Sequence, residues 1–231
     1  MSEPIPVSQT QVAESNFFSQ VYLWMSAGLF ISAFASFFVL ASPSLLQAIV
    51  TKPLLFWGLA IAELVLVMWL SAAIFKLSAL AAAAMFCVYS FLNGMTLSVI
   101  FLAYTGASVL TTFAATAGTF IFFSVYGFMT KADLTRVGQL AMMGLFGIII
   151  GSLINLFVHS NAMMWVMTYV GIAVFLGLIA YDTQVLKTIY AQGFESRESQ
   201  SKLALLGALR LYLDFINLFL MLLRIFGRQR D

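Results

Sequence analysis

Long apolar runs broken by brief polar punctuation set the pattern of this chain. A helix crosses the hydrocarbon core with about 20 apolar residues, so each run can be measured against that length. No charge occurs between Glu14 and Lys52, and Phe17 to Ala41 predicts a first span. Ser42-Pro43-Ser44 closes it, because proline removes a helical donor where the chain leaves lipid. Leu54 to Phe75 predicts the second span, between Pro53 and Lys76. The 54 uncharged residues between Lys76 and Lys131 are too long for one helix. Tyr104-Thr-Gly-Ala-Ser108 divides them into a third span, Leu77 to Tyr104, and a fourth, Ala107 to Phe128. After the polar loop Lys131 to Arg136, His159-Ser-Asn161 splits the next run into spans five, Gly138 to Val158, and six, Met163 to about Tyr190. Ala191 to Lys202 is expected to be the most polar loop, and Leu203 to Phe226 the seventh span.

The fold class is therefore an all-α polytopic membrane protein. Residues 1–16 form a polar N-terminal tail, 17–226 a single seven-helix transmembrane domain and 227–231 a short basic C-terminal tail. The alternation of a membrane barrel is absent, since the runs are apolar on every face. Composition agrees: 62% of the 231 residues are hydrophobic and 9% charged, with a mean hydropathy of +1.02, too few charges to cover a soluble surface. Disorder is excluded by the same figures. A net charge of +2 without a basic run gives no nucleic-acid partner. One cysteine, Cys87, and one histidine, His159, supply neither an internal disulfide nor a His/Cys zinc set. Met1 to Asn16 has no Lys or Arg and no apolar core, so it does not read as a cleavable signal peptide.

Lys and Arg at the loops set orientation. With the N-terminus in the cytoplasm, Lys76, Lys131, Arg136, Lys187, Arg197 and Lys202 lie inside and Lys52 outside. Seven full crossings then leave Arg228 and Arg230 outside, unless the last segment is re-entrant; seven crossings are the favoured reading. Gly144, Gly147, Gly151 and Asn155 in span five, and Ala114 and Gly118 in span four, recur at three- and four-residue offsets that predict close helix packing.

Most charges fall in loops, tails or span ends. Glu63, Asp182, Arg210 and Asp214 do not, and Arg224 is marginal. An ionisable group at mid-bilayer costs about 2.5–3.5 kcal/mol on insertion scales and normally faces the bundle interior or a water-filled cavity. Arg210, Asp214, Asn217 and Arg224 fall within about an 80° sector of the last helix, at 100° per residue. That stripe is expected to point inward, making the last helix central or pore-lining. Asp182, late in span six, and Asp214 flank the same loop. Two carboxylates at close range in low dielectric cannot both ionise cheaply and titrate as a unit. Such a pair is a proton sensor and a candidate calcium ligand set. Glu63 and Asn93, each near mid-span, are candidate cation-binding residues, with Asn217 as a further neutral oxygen. The structural alternative has Arg210 neutralising Asp214 and Asp182 acting as an anchor.

Ala180-Tyr-Asp-Thr-Gln184, followed by Leu211-Tyr-Leu-Asp-Phe-Ile-Asn-Leu-Phe219, closely resembles the signature of the Bax inhibitor-1, or transmembrane Bax inhibitor motif, family. The likeness is nearest to its bacterial inner-membrane branch and covers about residues 17 to 230; Leu54-Leu-Phe-Trp-Gly58 and Leu70-Ser71 with Lys76-Leu-Ser78 also fit. The resemblance implies seven helices with the C-terminal one central, wrapped by the other six. It also implies a pH-sensitive calcium leak in which Asp182 and Asp214 form a di-acid sensor that shifts a closed–open equilibrium. Some members of the family place an arginine in the second helix as a gating partner. Here span two has only Glu63 as an ionisable residue, which leaves Arg210 or a different gate.

The expected function is a calcium or other cation leak of the inner (plasma) membrane, with the lipid bilayer and Ca²⁺ as partners, no cofactor and no enzymatic activity. The alternative is a regulatory protein that binds a membrane protease or another membrane complex through the Met1–Asn16 tail. An intramembrane aspartyl protease is remote: Tyr181-Asp182 fits its first motif, but Leu211-Tyr-Leu-Asp214 lacks the glycines of the second and no Pro-Ala-Leu segment follows.

Overall fold

A computed structural model describes residues 7–230, with side-chain surroundings from residue 16 onward. It contains eight helices: α1 (Val7–Leu40), α2 (Pro43–Thr51), α3 (Pro53–Ala73), α4 (Ala79–Ala103), α5 (Gly106–Met129), α6 (Thr135–Val158), α7 (Asn161–Gln192) and α8 (Arg197–Phe226). Seven are long and apolar enough to cross a membrane, and they match the seven predicted spans. The eighth, α2, is the piece the apolar pattern did not show. Pro43 and Pro53 each sit at the start of a helix, where proline costs no hydrogen bond, so the segment between spans one and two forms one short helix and opens the next.

Two further boundaries differ from expectation. α1 begins at Val7, so much of the polar tail is helical; Met1 to Pro6 of that tail lie outside the described residues. The expected polar loop from Ala191 to Lys202 is shorter, because α8 already starts at Arg197. Glu198 stands in its first turn and pairs with Lys202 at 2.9 Å, an i,i+4 bridge that favours helix over loop. α8 is one unbroken 30-residue helix, long enough for a full crossing.

The apolar surface is what a lipid-facing bundle requires. Phe30, Leu54, Leu80 and Phe157 are among many large hydrophobic side chains left exposed. α3 is the most open span, with 6% of its most apolar window buried; α8 is the most enclosed, with 67%. Glu63 and Leu70, one heptad apart, are the buried residues of α3, so the carboxylate lies on that helix's narrow packing seam.

The chain forms two compact units. The first comprises residues 1–102 and 190–212, that is, α1 to α4 with the N-terminal part of α8. Within it, Ser32 and Ser36 of α1 donate to the carbonyls of Ser90 (2.7 Å) and Gly94 (2.6 Å) of α4. Equal four-residue steps on both helices put two hydroxyls over two carbonyls. The approach is close enough that a Cβ at Gly94 would lie 2.7 Å from the Ser32 Cα and 2.8 Å from the Ala35 Cβ. Phe17 packs on Tyr190 and Phe194, with ring centroids 6.0 and 5.0 Å away.

The second unit comprises residues 103–189 and 213–231: α5 to α7 and the C-terminal part of α8. Gly144 and Gly151 meet Val174 and Met167 of α7, as the glycine spacing predicts, and Gly138 lies against Tyr181. Gly147 and Gly118 face open space instead. The seven-residue step from Gly144 to Gly151 is nearly two full turns and keeps both on one side of α6, whereas Gly147 is about 60° away from Gly144. Asn155 closes the α6–α7 turn: its side chain accepts from the Ser160 N–H at 2.9 Å, while His159 takes the left-handed conformation at φ 52°. Phe215 and Phe219 of α8 pack edge-on against Phe113 of α5.

Candidate functional site

The segment Ala180 to Gln184 is fixed almost residue by residue within the second unit. A Cβ at Gly127 of α5 would collide with the Ala180 carbonyl, so glycine permits that contact. The Tyr181 ring covers Gly138 of α6. Thr183 is fully buried and shares a 3.1 Å hydrogen bond with Ser124 of α5. Gln184 clamps the α5–α6 loop from both sides, accepting from the Leu134 N–H and donating to the Ala132 carbonyl, each at 2.8 Å. One turn on, Lys187 donates to the Phe128 carbonyl at 2.8 Å and lies 5.1 Å above the Phe128 ring. Its neighbours thus hold Asp182, half-buried, on a rigid stretch of helix. Asp214 of α8 belongs to the same unit and is only 5% exposed.

Gln184→Ala is expected to release the loop. Two hydrogen bonds to backbone groups disappear, at about 1 kcal/mol net each, and protease cleavage within residues 130–134 should accelerate several-fold in detergent-solubilised protein.

That loop also carries Asp133, fully exposed, which accepts from the Thr135 hydroxyl at 2.6 Å and its N–H at 2.9 Å. These bonds hold its carboxyl below the usual carboxylate range. The contribution is present above the ordinary aspartate pKa and lost only as pH falls through the depressed value. Mild acid therefore leaves this loop as it is.

A second polar cluster lies within the first unit. Glu63 of α3, 9% exposed, accepts from Asn93 Nδ2 at 3.1 Å and Thr96 Oγ1 at 2.9 Å, both on α4. Asn93 Oδ1 accepts from the Tyr212 hydroxyl of α8 at 2.9 Å, and that hydroxyl lies 2.7 Å from Ser32 Oγ of α1. Glu63 and Asn93 are thus brought together, with the amide NH₂ turned to the carboxylate and its oxygen accepting from Tyr212. Asn217 likewise donates back to the Leu213 carbonyl of its own helix at 2.8 Å.

The predicted stripe on α8 is only partly interior. Asp214 is buried and Asn217 half-buried, but Arg210 and Arg224 are exposed. A long arginine stem can carry its head outward where a short aspartate cannot. Arg224 still reaches Thr168 Oγ1 of α7 at 3.0 Å. Among the described residues, no three His, Cys, Asp or Glu side chains converge as a metal cage. Calcium takes six to eight oxygens, so calcium at Asp182 and Asp214 needs carbonyls or water as well.

Tyr212, Thr96, Ser32 and Gln184 were not singled out from the sequence. Tyr212 and Gln184 sit inside the two motifs, and Ser32 and Ser36 match Ser90 and Gly94 in their four-residue spacing. Nothing in the hydropathy of uncharged hydroxyls marks them.

Residues 14–231 match the family described as inhibitor of apoptosis-promoting Bax1. The chain is 46% identical over 226 residues to the inner membrane protein YbhL of Escherichia coli K12, covering 97% of this chain and 96% of that one. It is 39% identical over 223 residues to a protein of Borreliella burgdorferi, covering 96% of each. A protein of Deinococcus radiodurans is 40% identical over 215 residues, covering 93% of this chain and 91% of the other.

Proposed function

The chain belongs to the Bax inhibitor-1 family, and on that footing we propose that it is a pH-sensitive calcium leak of the inner membrane, with Asp182 and Asp214 as its proton sensor. It is an inner-membrane protein, as its relative YbhL is named. The observation that carries the sensor is the company of the two aspartates. They enter one compact unit from α7 and α8, Asp214 is almost wholly buried, and the residues flanking Asp182 are locked to α5 and α6. A rigid frame around acid groups in low dielectric converts one proton into a change of helix contact. Arg210, four residues before Asp214 on α8, takes the gating role of the arginine that the second helix lacks. Calcium is cargo in this reading. The N-terminus is cytoplasmic, following the Lys and Arg of the loops.

The test is flux. Full-length protein in calcium-dye-loaded proteoliposomes should raise calcium entry above protein-free vesicles, by a factor that changes several-fold between neutral and mildly acidic buffer. A rate equal to that of protein-free vesicles at every pH would rule the leak out.

A further inference from the structure

The hydrogen-bond chain through Glu63 does not balance when its protons are counted. Asn93 gives an N–H to Glu63, and Tyr212 gives its only proton to Asn93 Oδ1. Ser32 then has one proton for three acceptors at hydrogen-bonding distance: the Tyr212 oxygen at 2.7 Å, the Ser90 carbonyl at 2.7 Å and the Gly28 carbonyl at 3.0 Å. Two short contacts share one proton.

A proton on Glu63 removes the deficit. An amide has its donor and acceptor on opposite arms, so rotation of the Asn93 side chain by half a turn exchanges them without moving the backbone. Glu63 O–H then donates to Asn93 Oδ1, Asn93 N–H to the Tyr212 oxygen, Tyr212 O–H to Ser32, and Ser32 O–H to the Ser90 carbonyl. Each of the four links has one proton, and no heavy atom travels far.

The surroundings favour such uptake. Among the described residues, no cationic side chain lies within ion-pairing distance of Glu63. The titratable groups facing it are Tyr89 of α4 and Tyr212 of α8, both buried. α1 brings only a hydroxyl to the chain. A buried carboxylate with neutral partners alone is stabilised either by a proton or by a cation, and the donor arms turned toward it leave little oxygen for a cation.

We propose that Glu63 is a proton-binding site whose occupancy reverses the donor direction of the Glu63–Asn93–Tyr212–Ser32 chain across α3, α4, α8 and α1. It uses neither Asp182 nor Asp214 and does not depend on calcium passage. The two directions differ at Tyr212, whose phenol gives its proton to Asn93 in one and to Ser32 in the other.

Infrared difference spectroscopy of the full-length protein in lipid nanodiscs, with ring-labelled tyrosine, tests this by pH titration. The expected result is a protonated-carboxyl band that titrates together with a tyrosine C–O shift at one midpoint. Both signals vanish in Glu63→Gln and persist in the Asp182→Asn/Asp214→Asn double variant. Tyr212→Phe keeps the carboxyl band but lowers its midpoint by about one pH unit, because the protonated chain loses one net hydrogen bond more than the ionised one. The coupled titration in the wild-type protein is decisive even if a variant fails to fold. A carboxyl band without a matching tyrosine shift, or a band that survives Glu63→Gln, overturns the proposal.

Discussion

Gly94→Val is expected to lower thermal stability by about 6–12 °C and to cut the yield of monodisperse protein. The side chain would enter the backbone of α1, where a Cβ alone already falls 2.7 Å from the Ser32 Cα. Overpacking costs about 1–3 kcal/mol when side chains can adjust. Here the obstacle is main chain, which places the cost at the upper end, and about 3 kcal/mol converts to that temperature shift for a chain of this size. Separating α1 from α4 also breaks the Ser32 and Ser36 bonds to the Ser90 and Gly94 carbonyls, and it disturbs the chain that ends on Ser32. Gly118→Val is the matched control, since nothing lies within 4 Å of a Cβ there. Thermal unfolding of the purified proteins should show a large fall for the first and almost none for the second. Equal falls would mean that valine in a helix, rather than the contact, causes the loss.

Asp214→Asn is expected to flatten the dependence of calcium flux on pH, and Asp182→Asn to do the same. Asparagine keeps the shape and much of the hydrogen bonding of a protonated carboxyl but cannot lose the proton. Each variant should therefore sit at the acid-side flux of the wild-type protein at every pH. One controlling proton changes a closed–open ratio by up to tenfold per pH unit. The wild-type response over two units can thus approach ~100-fold, and the variants should vary by less than about twofold. The buried position of Asp214 is what makes its proton count. Asp133, exposed and held ionised by Thr135, should be replaceable by asparagine with the pH response intact.

The span count was legible because lipid leaves charged residues few places to stand, and each polar interruption between apolar runs matches a helix end. α2 and the first turns of α8 were not legible. A nine-residue helix is too short to show as a hydropathy run, and the residues that make Arg197 to Lys202 look like a loop also form the Glu198–Lys202 bridge of a helix. At the site, charge led directly to Asp182, Asp214 and Glu63. It did not lead to Tyr212, Ser32 or Thr96, because their contacts join residues far apart in the chain, such as Ser32 and Tyr212. The arginines of α8 were misplaced for a related reason: a 100° wheel gives the face from which a side chain leaves, not how far its head reaches.

The claim that Asp182 and Asp214 act as one proton-sensing unit is tested most directly by a double-mutant cycle on flux. Calcium entry into proteoliposomes would be followed across mildly acidic to mildly basic pH for the wild-type protein, Asp182→Asn, Asp214→Asn and the double variant. Two groups that act as a unit are non-additive, so each single variant should lose as much of the pH response as the double variant does. Single variants that each keep half of the response, with the double losing the sum, would show two independent carboxylates and contradict the shared sensor.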